Sequence, residues 1–270
     1  MNAPLRTAPP VLLRDDFDGI ALLTLNRPQS RNSLSEALLA ALTASLADIA
    51  ADTRVRVVVI AANGPAFSAG HDMKEMSARR SDPDRGRAYF QQLMEACATM
   101  MQAVVRLPKP VIACVQGPAS AAGCQLVASC DLAVASSAAS FATPGVNIGL
   151  FCSTPMVALS RNIGRKAAME MLLTGDMVAA DEAQRIGLIN RVVAPGSERA
   201  EALKLARQIA SKSALTVKIG KEAFYRQLEM NLSEAYRYTS EVMVENMLAR
   251  DAEEGIGAFI EKRTPTWEDR

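Results

Sequence analysis

Two apolar runs, each followed by a glycine-containing loop and then a helical pattern, most constrain what this chain can fold into. The runs are "VRVVVIAA" (55–62) and "KPVIACV" (109–115), and their β-branched residues predict buried strands. Further strands are predicted within 19–28, 131–136 and 189–194. Helical patterns separate most of these strands, and such an alternation predicts an α/β core.

Beyond residue 195 the pattern is almost entirely helical. Amphipathic helices are predicted over 198–212, 214–229, 233–250 and 251–262. Each has an apolar face that must be buried, either on the chain's own core or on a second subunit. The sequence therefore divides into an α/β core, residues 1–195, and a helical C-terminal region, residues 196–270.

Composition narrows the functional class. Thirty Lys and Arg balance twenty-nine Asp and Glu, so the charge gives no reason to expect a nucleic-acid partner. The five cysteines are odd in number and form no Cys-x-x-Cys pair, which favours a reduced protein, and we predict a cytoplasmic location. His71 is the single histidine, so no histidine-based metal site is expected.

The sequence gives no sign of a membrane span or a secretion signal. No apolar run reaches about 18 residues, the length that a membrane-spanning helix needs, and the N-terminus has no apolar segment of the secretory type.

The two glycine-containing loops have the same plan. Ala69–Asp72 precedes the helical turn "MKEM", and Ala121–Gly123 precedes "CQLVAS". Each loop places free backbone N–H groups at a predicted helix N-terminus, where the helix dipole is positive. Two such donors brought together would stabilise a developing oxyanion, and small residues would let a carbonyl oxygen approach. Both segments are explained equally well as ordinary turns between a strand and a helix that bind nothing.

A set of motifs in fixed order gives the chain a family resemblance. The segments are "LNRPQSRNSLS", "VVVIAANGPAFSAGHDMKEM", "GPASAAGCQLVASCDLAVAS", "FATPGVNIGLFCSTP" and "FIEKRTP". In this order they resemble the enoyl-CoA hydratase/isomerase (crotonase) superfamily, over about residues 10–265. The third and fourth segments look most like the branch called enoyl-CoA hydratase domain-containing protein three.

The resemblance implies a fold, a substrate and an assembly. The fold is a crotonase-like spiral of ββα units with a helical C-terminal region that forms a homotrimer, or a hexamer made of two trimers. The substrate is an acyl-CoA thioester, so coenzyme A belongs to the substrate and no separate cofactor is expected. No membrane partner is implied.

The resemblance also implies site residues. The thioester oxygen would accept hydrogen bonds from the backbone N–H groups of His71 and Ala122. The side chain of His71 has a second reading, as an acid–base group, because imidazole titrates near neutral pH. The resemblance places coenzyme A contacts at the following residues: Arg31, Ala69, Asp72, Met73, Lys74 and Lys262.

The sequence departs from the family where hydratases carry two catalytic glutamates. Those positions are Gln125 and Gly145 here, and no Asp or Glu lies between Asp131 and Glu170. An amide orients water but has no useful basicity, and glycine has no side chain. The remaining polar candidates are Thr143, Asn147, Cys152 and Ser153.

Three functions fit these observations. The first is an acyl-CoA enzyme of the hydratase/isomerase type in fatty-acid or related metabolism, with weak hydration. The second is a non-catalytic acyl-CoA binder that has lost its bases. The third is a different thioester reaction, such as isomerisation, in which the substrate or a bound ion supplies the base.

Overall fold

The computed structural model describes residues 9–270. The targeting prediction concerns residues 1–16, of which 1–8 lie outside the described residues. The strands of this part of the chain are β1 Leu12–Phe17, β2 Ile20–Leu25, β3 Val57–Ala62, β4 Val111–Val115, β5 Ala119–Ser120, β6 Leu132–Ser136, β7 Ser140–Ala142, β8 Val178–Ala179 and β9 Arg191–Val193. The larger sheet has the order β1-β2-β3-β4-β6-β9 and is parallel apart from the β1–β2 hairpin. The smaller sheet has the order β5-β7-β8.

Helices surround the larger sheet and form the last third of the chain. In the described residues they are α1 Glu36–Ala51, α2 Met73–Ala78, α3 Arg87–Arg106, α4 Ala122–Ser129, α5 Pro155–Asn162, α6 Arg165–Thr174, α7 Ala180–Arg185, α8 Glu198–Ala210, α9 Ala214–Gln227, α10 Leu232–Leu248 and α11 Arg250–Glu261. Short 3-10 helices occupy Pro28–Ser30, Arg79–Ser81 and Pro144–Ile148. The α/β architecture predicted from the sequence is confirmed.

The central strands are buried on both faces, which explains their uninterrupted apolar runs. On one face Leu38, Phe67 and Met100 belong to the main core, which α1, α3 and α4 help to build. On the other face, Leu205 and Ala206 of α8 pack with side chains of β2, β3, β4 and β6. The first helix of the C-terminal region therefore covers the sheet.

The segment "SLSE" (33–36) has the spacing of a capping box and predicts Ser33 as the N-cap of α1, but the helix starts differently. Ser35, rather than Ser33, is the N-cap, and its side chain accepts a hydrogen bond from the Leu38 N–H. The Leu34 N–H is already donated to the Gly70 carbonyl over 2.7 Å, which keeps the chain out of the helix up to this point. Ser33 is thereby left to bond elsewhere.

Helices α10 and α11 turn large apolar side chains outward. No residue of α10 is buried, and α11 buries only Asp251 and Ala258. Phe259 is 85% exposed. Other exposed apolar residues of the two helices are Leu232, Tyr236, Met243, Val244, Met247, Leu248, Ile256 and Ile260. Large exposed apolar side chains concentrated on two neighbouring helices are typical of a protein–protein contact.

One half-buried carboxylate attaches the C-terminal region to the core. Asp131 accepts hydrogen bonds from the Val111 N–H (2.7 Å), the Lys221 ammonium (2.7 Å) and the Tyr225 hydroxyl (2.9 Å). Burial lowers the pKa of Lys221, and the charge and hydrogen bond of Asp131 oppose that effect. Because Lys221 and Tyr225 lie on α9, the group joins this helix to β4.

Candidate active site

The two glycine-containing loops lie side by side. Ser68 and Ala119 form a parallel bridge, and the Ser120 N–H donates to the Ser68 carbonyl over 2.8 Å. The Phe67 N–H donates to the Pro118 carbonyl over 3.0 Å. These bonds align the segment that leads into α2 with the segment that leads into α4.

Two glycines allow the loops to touch. Gly70 has a φ of +89°, and a methyl group added there would lie 2.9 Å from the Ala121 Cβ and 3.2 Å from the Ala122 nitrogen. A methyl group on Gly123 would overlap the Ser68 carbonyl oxygen. Any side chain at either position would force the loops apart, so both sites need glycine.

Free backbone donors occur on both loops. Within residues 9–270, neither the His71 N–H nor the Ala122 N–H donates a hydrogen bond to the protein. Ala122 is the first residue of α4, where an amide has no helical acceptor. The preceding residue, Ala121, has a φ of +50° and a ψ of −118°, a conformation that is strained for a side-chain-bearing residue. The contact of Gly70 with Ala122 therefore brings two unpaired donors into one neighbourhood.

The His71 imidazole is neutral in this environment. Burial lowers its pKa, and the nearby Leu34 backbone offsets part of that effect without reaching hydrogen-bond geometry. Both ring nitrogens are shielded from solvent and have no hydrogen-bond partner in the described part of the chain. The ring is consequently held beside the loop without a proton relay to another side chain.

Asp72 organises the first loop. Its carboxylate caps α2 by accepting the Lys74 N–H (3.1 Å), and it also accepts hydrogen bonds from Arg27 (3.0 Å) and the Ser33 hydroxyl (3.1 Å). Burial alone would raise the pKa of Asp72, but these bonds and the Arg27 charge lower it overall. The neighbouring Met73 is exposed, as is Lys74.

Asn32 and Arg27 are site residues that the sequence reasoning missed. The Asn32 side chain is fully buried; its Nδ2 donates to the carbonyls of Asn63 and Ala66, both at 2.8 Å, and its Oδ1 accepts the Arg27 N–H. Asn32 thus fixes the start of the first loop. The signal was present in "LNRPQSRNSLS", whose polar residues lie between two apolar elements.

The predicted coenzyme A contacts fall in two places. The Arg31 carbonyl accepts the Ala69 N–H over 2.9 Å, which sets the exposed Arg31 side chain beside the first loop. Asp72, Met73 and Lys74 continue from the same loop. Lys262 is exposed at the end of α11, and no hydrogen bond of the described residues joins it to the loops.

Gln125 lies on the first turn of α4 and is 5% exposed. Its Oε1 is shielded from solvent and has no hydrogen-bond partner in residues 9–270. Side chains on a helix lean toward its N-terminus, so the amide is directed toward the end of α4 that carries the Ala122 N–H. The position keeps a polar group without a partner.

Gly145 has no room for a side chain. A methyl group there would lie 2.7 Å from the Leu150 carbonyl oxygen and 2.9 Å from the Cys152 Sγ. The Leu150 N–H donates to the Gly145 carbonyl over 2.9 Å, which holds this backbone in place. The space next to Gly145 is filled by the chain itself.

The other polar candidates are engaged elsewhere or exposed. The buried Thr143 hydroxyl donates to the Met171 carbonyl over 2.9 Å. Asn147 and Ser153 are exposed. Burial raises the pKa of Cys152, and a hydrogen bond from the Gly145 backbone opposes that effect only in part, so its thiol stays protonated at neutral pH.

A family assignment follows from comparison with known proteins. The sequence profile described as enoyl-CoA hydratase/isomerase matches residues 16–270. The chain belongs to this family. Human mitochondrial enoyl-CoA hydratase domain-containing protein 3 is 48% identical over 251 residues, covering 93% of this chain and 81% of the relative.

Two solved structures share the fold. Enoyl-CoA hydratase from Mycobacterium smegmatis is 53% identical with a TM-score of 0.92, covering 96% of this chain and 99% of that one. Human enoyl-CoA hydratase domain-containing protein 3 is 47% identical with a TM-score of 0.90, covering 95% and 100%. The crotonase-like fold and the resemblance to the domain-containing protein 3 branch are therefore confirmed.

The predicted cytoplasmic location is wrong. The human, rat, mouse and Xenopus laevis relatives are all named mitochondrial, which points to mitochondria. Five unpaired thiols argue against an oxidising compartment but do not distinguish one reducing compartment from another. Separately, no helix in the described residues is both long and apolar enough to cross a membrane.

Proposed function

We propose that this protein binds acyl-CoA thioesters and polarises the thioester carbonyl between the backbone N–H groups of His71 and Ala122. The observation that carries the proposal is the pair of unpaired donors on touching loops. Membership of the enoyl-CoA hydratase/isomerase family supports the substrate class.

Such a pair of donors suits a reaction that places negative charge on the thioester oxygen. Donors fixed by the fold stabilise this charge without reorganising, and losing one of them typically costs about 10²–10³ in rate. Gly70 and Gly123 let the two loops pack closely together, and the Asn32 and Asp72 hydrogen bonds hold the first loop. The chain thus retains the two backbone donors that would stabilise negative charge on the thioester oxygen.

General acid–base catalysis by side chains of this chain is weak or absent. Gln125 and Gly145 replace the two glutamates of hydratases, and each missing base is expected to cost about 10²–10⁴ in rate. We therefore propose that hydration of enoyl-CoA is slow. Isomerisation, with the base supplied by the substrate or a bound ion, is an alternative reaction for the same donors.

A second candidate is a non-catalytic acyl-CoA binder. The observation in its favour is the filled space beside Gly145, because a backbone carbonyl and a protonated thiol occupy the place of a side chain. In this case the two N–H groups would serve recognition alone.

We also propose that the exposed apolar surface of α10 and α11 forms a homotrimer or a dimer of trimers. Arg31, Ala69, Asp72, Met73 and Lys74 would contact coenzyme A within one chain. Lys262 would reach it from a neighbouring chain, because it lies apart from the loops. Sedimentation should give about three or six times 28.9 kDa, and a monomer at micromolar concentration would contradict the assembly.

The central experiment compares ligands that differ only at the carbonyl. Calorimetric titration with butyryl-CoA, with its S-butyl thioether analogue and with free coenzyme A should rank the thioester as the tightest ligand. Equal affinity for thioester and thioether would refute carbonyl recognition. Hydration of crotonyl-CoA, assayed in parallel, separates the two candidates: turnover within about a hundredfold of ordinary hydratases would exclude the non-catalytic binder.

A further inference from the structure

We propose that four exposed arginines near the first loop form a docking surface for an acidic carrier protein that holds the acyl group on a phosphopantetheine arm. This arginine surface consists of Arg79, Arg80, Arg85 and Arg87. The inference rests on the proposed function and deepens it, because the thioester on the arm would enter the same two loops as an acyl-CoA. The observation behind it is positive charge without acidic partners close to those loops.

The arginine surface lacks acidic partners. In residues 9–270, none of its four guanidinium groups is paired with a carboxylate, whereas Arg27 is paired with Asp72 and Arg56 with Asp269. The stretch 73–90 contains five basic and three acidic residues, a surplus of two, although the whole chain has a surplus of only one. Uncompensated positive charge attracts an acidic partner and speeds its association.

The carboxylate that precedes Arg85 has another task. Asp84 accepts hydrogen bonds from the N–H groups of Gly86 (2.9 Å) and Ala88 (2.8 Å), and these bonds lower its pKa. They hold the start of α3, where Arg87 is the first helical residue. A cation at a helix N-terminus is unfavourable for the helix dipole. Helix stability therefore does not explain Arg87, whose charge is free to meet a partner.

Two of the guanidinium groups rest on aromatic rings. The Arg79 guanidinium carbon lies 5.1 Å from the centre of the Tyr89 ring, and that of Arg80 lies 5.8 Å from the centre of the Phe90 ring. The turn between them is tightly packed, because a methyl group on Gly86 would lie 2.8 Å from the Arg79 carbonyl oxygen. Arginines held in this way lose little conformational freedom when a partner binds.

The position of the arginine surface suits a partner that delivers a thioester. Only α2, which has six residues and is therefore ~9 Å long, separates the His71 loop from Arg79. The coenzyme A contacts proposed above include Lys74 but none of the four arginines. The arginine surface is thus available for the protein that bears the arm while the arm itself reaches the loops.

An acidic protein fits this surface better than an anionic membrane does. Proteins that lie on a membrane bury exposed apolar side chains beside their basic residues. Between Arg79 and Phe90 no large apolar side chain is exposed, and the rings of Tyr89 and Phe90 are half-buried. The surface therefore offers charge without an apolar anchor.

The test is calorimetric titration with three ligands. They are an acidic acyl carrier protein loaded with butyryl-phosphopantetheine, the same carrier with an unacylated arm, and butyryl-CoA. The butyryl carrier should bind more tightly than the unacylated carrier. Its affinity should fall about tenfold as NaCl rises from about 50 to about 300 mM, because salt screens exposed charges.

Two double variants locate the contact. Arg85→Glu with Arg87→Glu leaves both stacked arginines in place and should weaken binding of the butyryl carrier about tenfold or more, while affinity for butyryl-CoA stays within about threefold. Arg165→Glu with Arg199→Glu makes the same change of charge at exposed residues of α6 and α8. This matched control should keep the affinity for the butyryl carrier.

The outcomes separate this inference from the proposed function. If butyryl-CoA binds but the butyryl carrier does not, the inference is overturned and thioester binding stands. The same holds if the Arg85 and Arg87 double variant melts cooperatively and binds the carrier as wild type does. Binding to vesicles of anionic phospholipid without binding to the carrier would assign the surface to a membrane instead. If butyryl-CoA binds no better than free coenzyme A, the proposed function itself fails.

Discussion

Gln125 and Gly145 are the two positions where the family resemblance predicts glutamate, but the structure at the two positions differs. At Gln125 the space and a polar side chain remain, and only the basicity is missing. At Gly145 the backbone of Leu150 and the thiol of Cys152 take up the space itself. One difference is confined to a side chain, whereas the other extends to the course of the chain, and only the first should be reversible by a single substitution.

The largest expected effect is on the rate of hydration, when glutamate is introduced at these two positions. Gln125→Glu should raise crotonyl-CoA hydration by about 10²-fold, because one general base is restored. Gln125→Glu combined with Gly145→Glu should give no further increase, because the second side chain meets a backbone carbonyl. The measurement is the loss of enoyl-thioester absorbance. A stable double variant that is faster than the single variant would show that the two positions are equivalent.

The stability of a Gly145 variant tests directly whether the space beside this residue is occupied. Gly145→Ala should lower the free energy of unfolding by about 1–3 kcal/mol, as overpacking does in a tight site. Gly220→Ala, in α9 with nothing within 4 Å of the added methyl group, should not destabilise the protein. Urea denaturation compares the two variants. Equal unfolding midpoints would mean that the segment around Gly145 shifts to accept a methyl group at little cost.

Relieving the backbone strain at Ala121 should change the free energy of unfolding by a smaller amount. Ala121→Gly should raise the free energy of unfolding by about 1 kcal/mol or less, since the gain from relaxing a φ of +50° is offset by the entropy of glycine in the unfolded chain. Affinity for butyryl-CoA should stay within about twofold, because the donor N–H belongs to Ala122. A large loss of affinity would show that the Ala121 methyl group itself positions that donor.

The smallest effect concerns the ion pair that holds the first loop. The pKa of Asp72 is lowered in the folded state, so its contribution to stability is complete above the unfolded pKa of about 3.9 and is lost as pH falls through the lower folded value. Asp72→Asn should therefore destabilise at pH 7, and the difference from wild type should shrink below about pH 4. Urea midpoints at both pH values test this, with the exposed Asp48→Asn as control; a difference independent of pH would contradict it.

Much of the fold was readable from local sequence. The β-branched runs predicted β3 and β4, and helical periodicity predicted α8 to α11 to within a few residues. The hairpin strand β1, whose residues are mostly exposed, lacks that apolar signal and was not predicted. Ser33 was mistaken for the cap of α1 because its true partners, Arg27 and Asp72, are distant in sequence or outside the helix pattern.

The site was predictable at the level of its loops and less so at the level of its contacts. Small residues before a helix suggested that each loop offers backbone donors, and the family resemblance assigned those donors to His71 and Ala122. Nothing local in "FATPGVNIGLFCSTP" indicates that Leu150 folds back onto Gly145, because that contact depends on the path of the backbone between them. The isolation of the Gln125 amide likewise depends on what surrounds it in three dimensions.

The Asp131 carboxylate has a consequence for cooperativity. It accepts hydrogen bonds from β4 and from two residues of α9 at once, so undocking that helix would leave a half-buried carboxylate without its cation. Partial unfolding of the C-terminal region is thereby penalised even though α10 buries no residue of its own. We therefore expect the sheet and α9 to unfold as one unit, so that the apolar surface of the later helices stays attached to the core that holds the two glycine-containing loops.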